Sequence, residues 1–329
     1  MKIKKTLKII CVGAMLSVVS TFAVQAETNY PTKAVKIVIP YSPGGITDLV
    51  ARALSESLTK KWGQPVIVEN KPGGSESIAA AAVAASPPDG STILLASDAA
   101  YVINALTMKN LPYKPADLSP VIQLAEGFGV LVVNTQTGVD SISEFLTLAN
   151  KKPGEVTYGS EAIGSPSEFR MRILGEAAGG YKLNHIPYKG SGAVTVDLLG
   201  GRLDSAWLPP HLAKTSLESK AIKAIAITGP TQSDMFPGVK TAKEQGYGAV
   251  DAVSFKMMLA VSKGTPQPII DKIATDVASI IKDPSFDERY IQANGYTVTG
   301  GTPADFAAYL TQAQGIFSKL VQDSGLAAK

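Results

Sequence analysis

Residues 35–48 read VKIVIPYSPGGITD, and this stretch decides how the chain folds. Its first five residues are mostly β-branched and alternate in the way that is typical of a strand. Farther on, Val50, Leu54, Leu58 and Trp62 recur every four residues, the spacing of the buried face of an amphipathic helix. The sequence therefore predicts a strand and a helix that are joined by a loop with two adjacent glycines.

The Gly44-Gly45 loop has two interpretations. Glycine lets backbone N–H groups point into a crevice at the positive end of a helix dipole, where an anion binds favourably. Alternatively, the loop is a tight turn in which glycine supplies a positive φ and Thr47 or Asp48 caps the helix. Taken alone, the local pattern favours the turn, so the choice depends on the rest of the chain.

Residues 1–26 differ from the rest of the sequence. They carry four lysines and no acid, contain an apolar stretch, and close with Val24-Gln25-Ala26, small residues suited to cleavage. This is the composition of a cleaved secretory signal peptide, and its apolar stretch is short for a membrane-spanning helix. No later segment is long and apolar enough to span a bilayer either, so we expect an exported protein.

Length and charge narrow the class of protein further. A chain of 329 residues exceeds what one hydrophobic core usually supports, so two domains are expected. Without the four lysines of the signal segment, 27 of the 31 basic residues remain against 28 acidic ones, a balance that gives no support for nucleic-acid binding. Cys11, the only cysteine, lies in the signal segment, so the exported chain forms no disulfide and depends on its core for stability.

Strand and helix patterns alternate through the remaining chain, which indicates an α/β fold with largely parallel sheets. Residues 111–120 contain several prolines and are interpreted as a connection between the two domains. The predicted strands are 35–39, 64–69, 92–96, 129–133, 156–158, 202–207, 221–228 and 253–261. The predicted helices include 78–85, 141–151, one from Pro166, 267–282 and 302–327.

The residues needed for most enzyme and metal chemistry are absent. His185 and His211 are the only histidines, and neither has a neighbouring ligand at metal-binding spacing. His185 is interpreted as a hydrogen-bonded structural residue. There is no Gly-x-Ser-x-Gly nucleophile elbow, Walker A or Gly-x-Gly-x-x-Gly sequence, and the Ser-x-x-Lys match at Ser57 lacks its companion motifs. We therefore expect no cofactor and no metal, and an enzyme is the weaker hypothesis.

Small polar residues and glycines do occur at the ends of several predicted strands. These loops are residues 42–47, 97–98, 159–165 and 189–192. In an open α/β sheet, ligands bind outside the carboxyl ends of the strands, so the loops are expected to converge. Because they come from two predicted sheets, they indicate a ligand cleft between domains.

An ordered set of motifs resembles one known family. The set contains VKIVIPYSPGGITDLVAR from Val35, GQPVIVENKPGG from Gly63, HIPYKG from His185 and DLLGGRLD from Asp197. It resembles the periplasmic substrate-binding proteins of tripartite tricarboxylate transporters, called the Bug family. The resemblance covers essentially the whole exported chain, including Gly264-Thr-Pro near its end.

The resemblance implies a two-domain class II periplasmic binding protein fold whose halves close over a small organic carboxylate. Domain 1 would comprise residues 27–127 plus 248–329, and domain 2 residues 128–247. It also implies a periplasmic monomer that delivers its ligand to a membrane permease with one large and one small subunit. An exported hydrolase acting on a carboxylate, and a ligand sensor that contacts a membrane kinase, remain as alternatives.

By the same resemblance, two loops, residues 41–48 and 159–165, pinch a ligand carboxylate. Gly44, Gly45 and Ser165 would be among the donors, and Asp48 would orient the first loop or bind ligand through water. The complete set of expected contact residues is Tyr41, Pro43, Gly44, Gly45, Thr47, Asp48, Ser97, Asp98, Ser160, Gly164, Ser165, Tyr188, Asp204 and Trp207.

The sequence departs from the family pattern at positions that bear on specificity. Glu168-Phe169 stands where members often have His-Leu, and Phe255-Lys256-Met257 where Trp-Phe-Gly is common. Trp207 and Phe255 either line an apolar pocket or belong to the core. Asp98 either takes an amine or hydroxyl or caps the next helix, and its charge weighs against a tricarboxylate. The identity of the carboxylate stays open.

Overall fold

A computed structural model describes residues 29–177, 179–180, 183–229 and 232–323. The expected signal peptide lies outside these residues. The strands of the described part are β1 (Val35–Ile39), β2 (Val66–Asn70), β3 (Thr92–Ala96), β4 (Leu118–Gly127), β5 (Val130–Asn134), β6 (Thr157–Ser160), β7 (Asn184–Pro187), β8 (Ser205–Leu208), β9 (Ile222–Ile227), β10 (Phe255–Ser262) and β11 (Tyr296–Val298).

The helices come between these strands, as the alternating pattern predicts. They are α1 (Ile46–Trp62), α2 (Ser77–Ala84), α3 (Asn104–Thr107), α4 (Ile142–Lys151), α5 (Pro166–Ala177), α6 (Ser191–Leu199), α7 (Pro210–Leu217), α8 (Gln267–Ile281), α9 (Pro284–Phe286) and α10 (Pro303–Asp323). A π-helical turn, Ala99–Ile103, leads into α3. Within the described ranges, none of the helices has the length and apolar character needed to cross a membrane.

The strands form two sheets. One has six strands in the order β11-β4-β10-β3-β1-β2, and the other has five in the order β7-β6-β8-β5-β9. We call each sheet with its helices a lobe, the first lobe holding the six-stranded sheet. The expected α/β two-domain architecture is confirmed, but the sheets are mixed: β1, β2 and β3 are parallel, as are β6, β7 and β8, whereas β4, β5, β9, β10 and β11 pair antiparallel.

The antiparallel strands lie where the chain passes between lobes. It leaves the first sheet at Gly127, enters the second at Val130, and returns between Ile227 and Phe255. The two crossings lie side by side, because Phe255 pairs with Gly127. The finer domain boundaries, at 127/128 and 247/248, stay a prediction.

Strand β4 includes residues that the sequence analysis assigned to a connection. Proline cannot donate a hydrogen bond to a sheet, so it is found in strands mainly at edges and bulges. Pro120 is opposite Ala260, at a register shift in β10. This irregularity explains how a ten-residue strand accommodates Pro120. The prolines of residues 111–120 are the reason that the sequence predicts a connection there and no strand.

The two faces of β1 pack against different layers. Ile37 and Ile39 have no exposed surface and belong to one apolar cluster with Leu54 and Leu58 of α1, as the four-residue stripe predicts. Val38 points to the opposite face and belongs to a cluster that continues into the second lobe. There Phe317 of α10 packs against Phe169 of α5, with ring centroids 5.7 Å apart.

Candidate ligand-binding site

The first glycine loop leaves backbone donors free at the start of α1. Gly45 is the N-cap of this helix, and no side chain caps it. Among the described residues, none accepts a hydrogen bond from the N–H groups of Gly45, Ile46 or Thr47. Gly44, with φ +95°, and Gly45 both have open space where a Cβ would stand. The loop therefore presents uncapped N–H groups at the positive end of a 17-residue helix, which suits an anion.

Asp48 holds this loop in place. Its Oδ2 accepts hydrogen bonds from Gly44 N at 3.0 Å and from Arg52 Nε at 2.9 Å, and its Oδ1 accepts from Asn70 Nδ2 at 3.0 Å. Burial opposes ionisation of Asp48, but the hydrogen bonds from Arg52, Asn70 and Gly44 outweigh it and lower the pKa of the carboxyl. Asn70 also donates to Tyr41 O at 2.9 Å. Of the two expected roles, this geometry matches loop orientation, because the carboxylate is occupied by protein donors.

The second loop is held by the same arrangement. Gly164, with φ +75°, donates its N–H to Glu168 Oε2 at 2.7 Å, and Arg172 donates to Glu168 Oε1 through Nε at 2.8 Å and Nη2 at 2.6 Å. Glu168 has no exposed surface. Each member of the set Gly44–Asp48–Arg52 is thus matched by a residue 120 positions later. Both acids lie at the third position of their helices, α1 and α5.

His185 contacts residues at the base of the second loop. Ser160 Oγ donates to Ala162 O at 2.9 Å, so the 2.7 Å contact between Ser160 Oγ and His185 Nε2 has the imidazole as donor. The ring stacks on Tyr158 at 4.6 Å, and its Nδ1 lies 3.5 Å from Glu168 Oε1. Burial lowers the pKa of His185 despite the nearby charge of Glu168. This surrounding is that of the structural histidine expected from the sequence.

Glu76 is a buried acid that the sequence analysis did not single out. Its backbone is in the left-handed region, with φ +74°, and its carboxylate accepts a hydrogen bond from Tyr41 Oη. It also accepts from Ser97 N at 3.0 Å, Ser97 Oγ at 2.5 Å and Ala100 N at 3.2 Å. The donors of Tyr41 and Ser97, both expected to contact ligand, are therefore directed at a side chain of the protein.

Asp98, at the same strand end, faces the C-terminal helix. Its Oδ1 accepts from Tyr309 Oη at 2.6 Å, its Oδ2 is buried with no partner among the described residues, and it does not cap the following helix. Burial raises the pKa of Asp98 to about 6, although Tyr309 and the charge of Lys256 oppose the rise. Lys256 lies over the Tyr309 ring at 4.9 Å and pairs with Glu126.

The structure does not bring every expected residue to the loops. Tyr188 Oη donates to Asp197 Oδ2 at 2.6 Å, on α6. Asp204 precedes β8 and accepts from Thr157 N at 2.7 Å, at the opposite end of these parallel strands from the second loop. Trp207 is 1% exposed and belongs to a buried apolar cluster, which favours the core alternative for it.

The second loop lies next to the first lobe. A methyl group on Gly164 would come within 3.4 Å of Ile103, which follows β3 in the first lobe. Phe255 lies between Tyr41 and Tyr296, each at 6.2 Å between ring centroids. Burial, then the charges of Glu76 and of Glu161 in the second loop, raise the pKa of Tyr41.

Metal binding finds no support in the described residues, where no group of three or more histidine, cysteine, aspartate or glutamate side chains is suited to hold an ion. The donors around the loops are backbone amides, hydroxyls and guanidinium groups, which are partners for an anion.

Comparison with known proteins agrees with this chemistry. A family model described as "Tripartite tricarboxylate transporter family receptor" (TctC) matches residues 50–326. Protein BugT of Bordetella pertussis is 31% identical over 322 residues, which are 97% of each chain.

Solved structures resemble the fold over most of its length. R. palustris Rpa4515 with adipate superposes with a TM-score of 0.84 at 28% identity, covering 91% of this chain and 100% of that one. MatC (Rpa3494) from Rhodopseudomonas palustris with bound malate gives 0.79 at 26% identity, over 89% and 100%. The periplasmic binding protein BugD gives 0.80 at 28% identity, over 91% and 100%. The chain belongs to the tripartite tricarboxylate transporter receptor family, TctC.

Proposed function

We propose that this protein is a periplasmic receptor that binds a small organic carboxylate between its lobes and delivers it to a tripartite membrane permease. The observation that carries the proposal is the uncapped start of α1, where the N–H groups of Gly45, Ile46 and Thr47 have no protein acceptor among the described residues. A carboxylate is an acceptor-only group that satisfies such donors and gains from the helix dipole. Adipate and malate, the ligands of two relatives, belong to this class.

Binding would close the lobes by differential affinity. The first loop contributes its donors from one lobe, and the second loop, around Gly164 and Ser165, approaches from the other. A ligand held by both loops binds the closed form more tightly than the open form and shifts the population accordingly. The side-by-side crossings at Gly127 and Phe255 would be the hinge between domains 27–127 plus 248–329 and 128–247.

The test is a thermal-shift screen of residues 27–329, refolded to remove bound ligand, against small carboxylic acids and the matching amides. A ligand at 100 times its Kd adds about 2.7 kcal/mol of stability. We expect stabilisation by an acid and none by its amide. If no acid raises the melting temperature, carboxylate binding is wrong.

The Gly45→Val variant tests the loop itself. Gly45 has φ −82° and nothing within 4 Å of a Cβ, so valine fits the free protein but fills the space in front of the donors. We expect normal folding and at least about a hundredfold weaker binding, from loss of charge-assisted hydrogen bonds. Gly315→Val, at an equally open position in α10, should bind like the wild type. Unchanged affinity in Gly45→Val would rule out the anion loop.

Hydrolysis is a second candidate because Ser160 contacts His185 and His185 contacts Glu168, which is the contact order of a nucleophile, a base and an orienting acid. The geometry opposes it. Ser160 is 1% exposed and directs its hydroxyl at Ala162 O, and the carboxylate of Glu168 is already paired with Arg172. We expect no turnover of small esters; turnover that disappears in a His185→Ala, His211→Ala double variant would replace the receptor proposal.

A further inference from the structure

Three parallel strands of the first lobe end in loops at one edge of the sheet. β1 is followed by the first glycine loop, β2 by the loop that contains Glu76, and β3 by Ser97. Neighbouring strands lie about 4.8 Å apart, so the β3 end is within the length of a short-chain acid from the first loop. A ligand anchored by one carboxylate at Gly45 would direct its other end toward Ser97.

The end of β3 offers the same kind of donors as the first loop. Two N–H groups, of Ser97 and Ala100, and two hydroxyls, of Ser97 and Tyr41, converge on one point. That point is occupied by the carboxylate of Glu76, a residue that is 7% exposed. Four donors use the four lone-pair directions of a carboxylate, so this position has no capacity for a second anion.

The backbone around Glu76 is strained. Ser75 and Glu76 have φ +46° and +74°, a region that residues other than glycine rarely adopt. Strain of this kind persists only where surrounding contacts fix it, and it is concentrated at functional sites. Here the contacts that fix it are the four hydrogen bonds of the carboxylate and the Asn104 Nδ2 bond to Ser75 O at 2.7 Å.

We propose that Glu76 is a specificity-determining residue whose carboxylate fills, within the protein, the anion position at the end of β3. This inference rests on the proposed carboxylate-receptor function. It assigns the ligand class as monocarboxylates, with a neutral or cationic group at the far end. A dicarboxylate of the same length would meet a filled position and a second carboxylate.

The experiment compares hexanoate with adipate, two six-carbon acids that differ in one carboxylate, by calorimetric titration. The wild type should bind hexanoate more tightly than adipate. Glu76→Gly fits the left-handed backbone and frees all four donors, so we expect the adipate-to-hexanoate affinity ratio to rise at least about tenfold. Glu76→Asn gives a second opened variant, because asparagine tolerates this backbone and is one methylene shorter.

Two matched variants test whether the effect comes from the Glu76 side chain filling the position, from its charge, or from the flexibility of its loop. Glu76→Gln keeps the position filled without a formal charge, so its ratio should rise much less than that of Glu76→Gly. Ser75→Gly relaxes the neighbouring positive φ and leaves the Glu76 contacts intact, so its ratio should equal that of the wild type. Folding of each variant is checked by circular dichroism before titration.

The outcomes separate this inference from the proposed function. If the wild type prefers adipate, or if Glu76→Gly and Glu76→Asn keep the wild-type ratio while binding hexanoate, the role of Glu76 is wrong and the carboxylate receptor stands. If the wild type binds no acid in the thermal-shift screen, both proposals fall.

Discussion

Asp98 is a buried carboxyl whose ionisation opposes folding. Its pKa of about 6 in the folded chain lies above the ordinary value of 3.8, so the folded state holds the proton more strongly than the unfolded state. The stability associated with the proton is present below about pH 4 and is lost as the pH rises through 6. The protein at neutral pH therefore contains a charge that its surroundings only partly compensate.

Replacing Asp98 by asparagine should raise stability at neutral pH. Asparagine keeps an acceptor for Tyr309 and removes the charge, so the free energy of unfolding in urea at pH 7.5 should increase by about 1 to 3 kcal/mol. At pH 4, where Asp98 is protonated, the gain should vanish. A gain that is equal at both pH values would contradict the assignment.

Asp89 provides a control of opposite sign. Its pKa is lowered to about 2, because hydrogen bonds from Lys33 and Ser91 outweigh burial. Asp89→Asn should therefore be less stable than the wild type at pH 7.5, with the difference shrinking toward pH 2.

Two residues, Gly44 and Glu76, show which site features can be predicted from the sequence and which cannot. Gly44 was recognised from its neighbours in the chain, because a strand and an apolar helical stripe flank it. Glu76 was not, because its partners Tyr41, Ser97 and Ala100 are 35, 21 and 24 residues away and become neighbours only when three strands align. A glycine-rich loop gives no local signal that the acid within it is buried.

At the scale of elements, the two glycine loops are built on one repeated design. A glycine of positive φ donates to an acid four residues on, and an arginine four residues farther holds that acid. The repeat, Gly44–Asp48–Arg52 and Gly164–Glu168–Arg172, is visible in the sequence. It was not recognised there because an acid and an arginine at i,i+4 also form ordinary surface pairs, so that spacing alone does not indicate burial.

The two halves of this design should respond differently to loss of arginine. Glu168 has no exposed surface, so Arg172→Ala leaves a buried charge with too few partners and should cost about 3 kcal/mol of unfolding free energy. Asp48 retains Asn70 and Gly44 as donors, and Arg52 is solvent-exposed, so Arg52→Ala should cost clearly less. Urea denaturation at pH 7.5 measures both variants. Equal losses would show that Glu168 depends on Arg172 no more than Asp48 depends on Arg52.

Strands β4, β7 and β11 were not among the predicted strands. The three-residue strand β11 pairs with β4, whose residues lie about 170 positions earlier, and has no pattern of its own long enough to indicate a strand. By contrast β1 and β3 were predicted with their observed bounds, and α1 was predicted from its apolar face, because burial on one face imposes a period that is readable locally. The lobes were predictable, whereas the mixed order of strands within them was not.

At the scale of the whole molecule, Arg170 connects the second loop's helix to both crossings between the lobes. Its Nε donates to Val253 O at 2.8 Å on the second crossing, and a methyl group on Gly129, on the first, would come within 2.5 Å of its Nη1. The guanidinium also lies over Trp207 at 5.7 Å. Burial lowers the pKa of Arg170 to about 10, so it is still charged at neutral pH.

The Arg170→Met variant should loosen the crossings without unfolding the protein. Methionine fills a similar volume and removes a buried guanidinium whose Nη2 has no hydrogen-bond partner among the described residues, so the desolvation that is avoided offsets the contacts that are lost. The tether to Val253 is lost, however, so local opening of both crossings should require less free energy. In hydrogen exchange measured by mass spectrometry, peptides covering residues 127–130 and 250–255 should exchange faster, while those covering α1 and α8 should not change.

Arg289→Met, a surface substitution of the same kind, should leave exchange at both crossings as in the wild type. If Arg170→Met also leaves both unchanged, Arg170 does not restrain the crossings. Faster exchange at the second crossing alone would indicate that Arg170 touches Gly129 without restraining the first crossing. Faster exchange at both would mean that α5, which starts at the second glycine loop, is coupled through one side chain to the two crossings that we propose as the hinge.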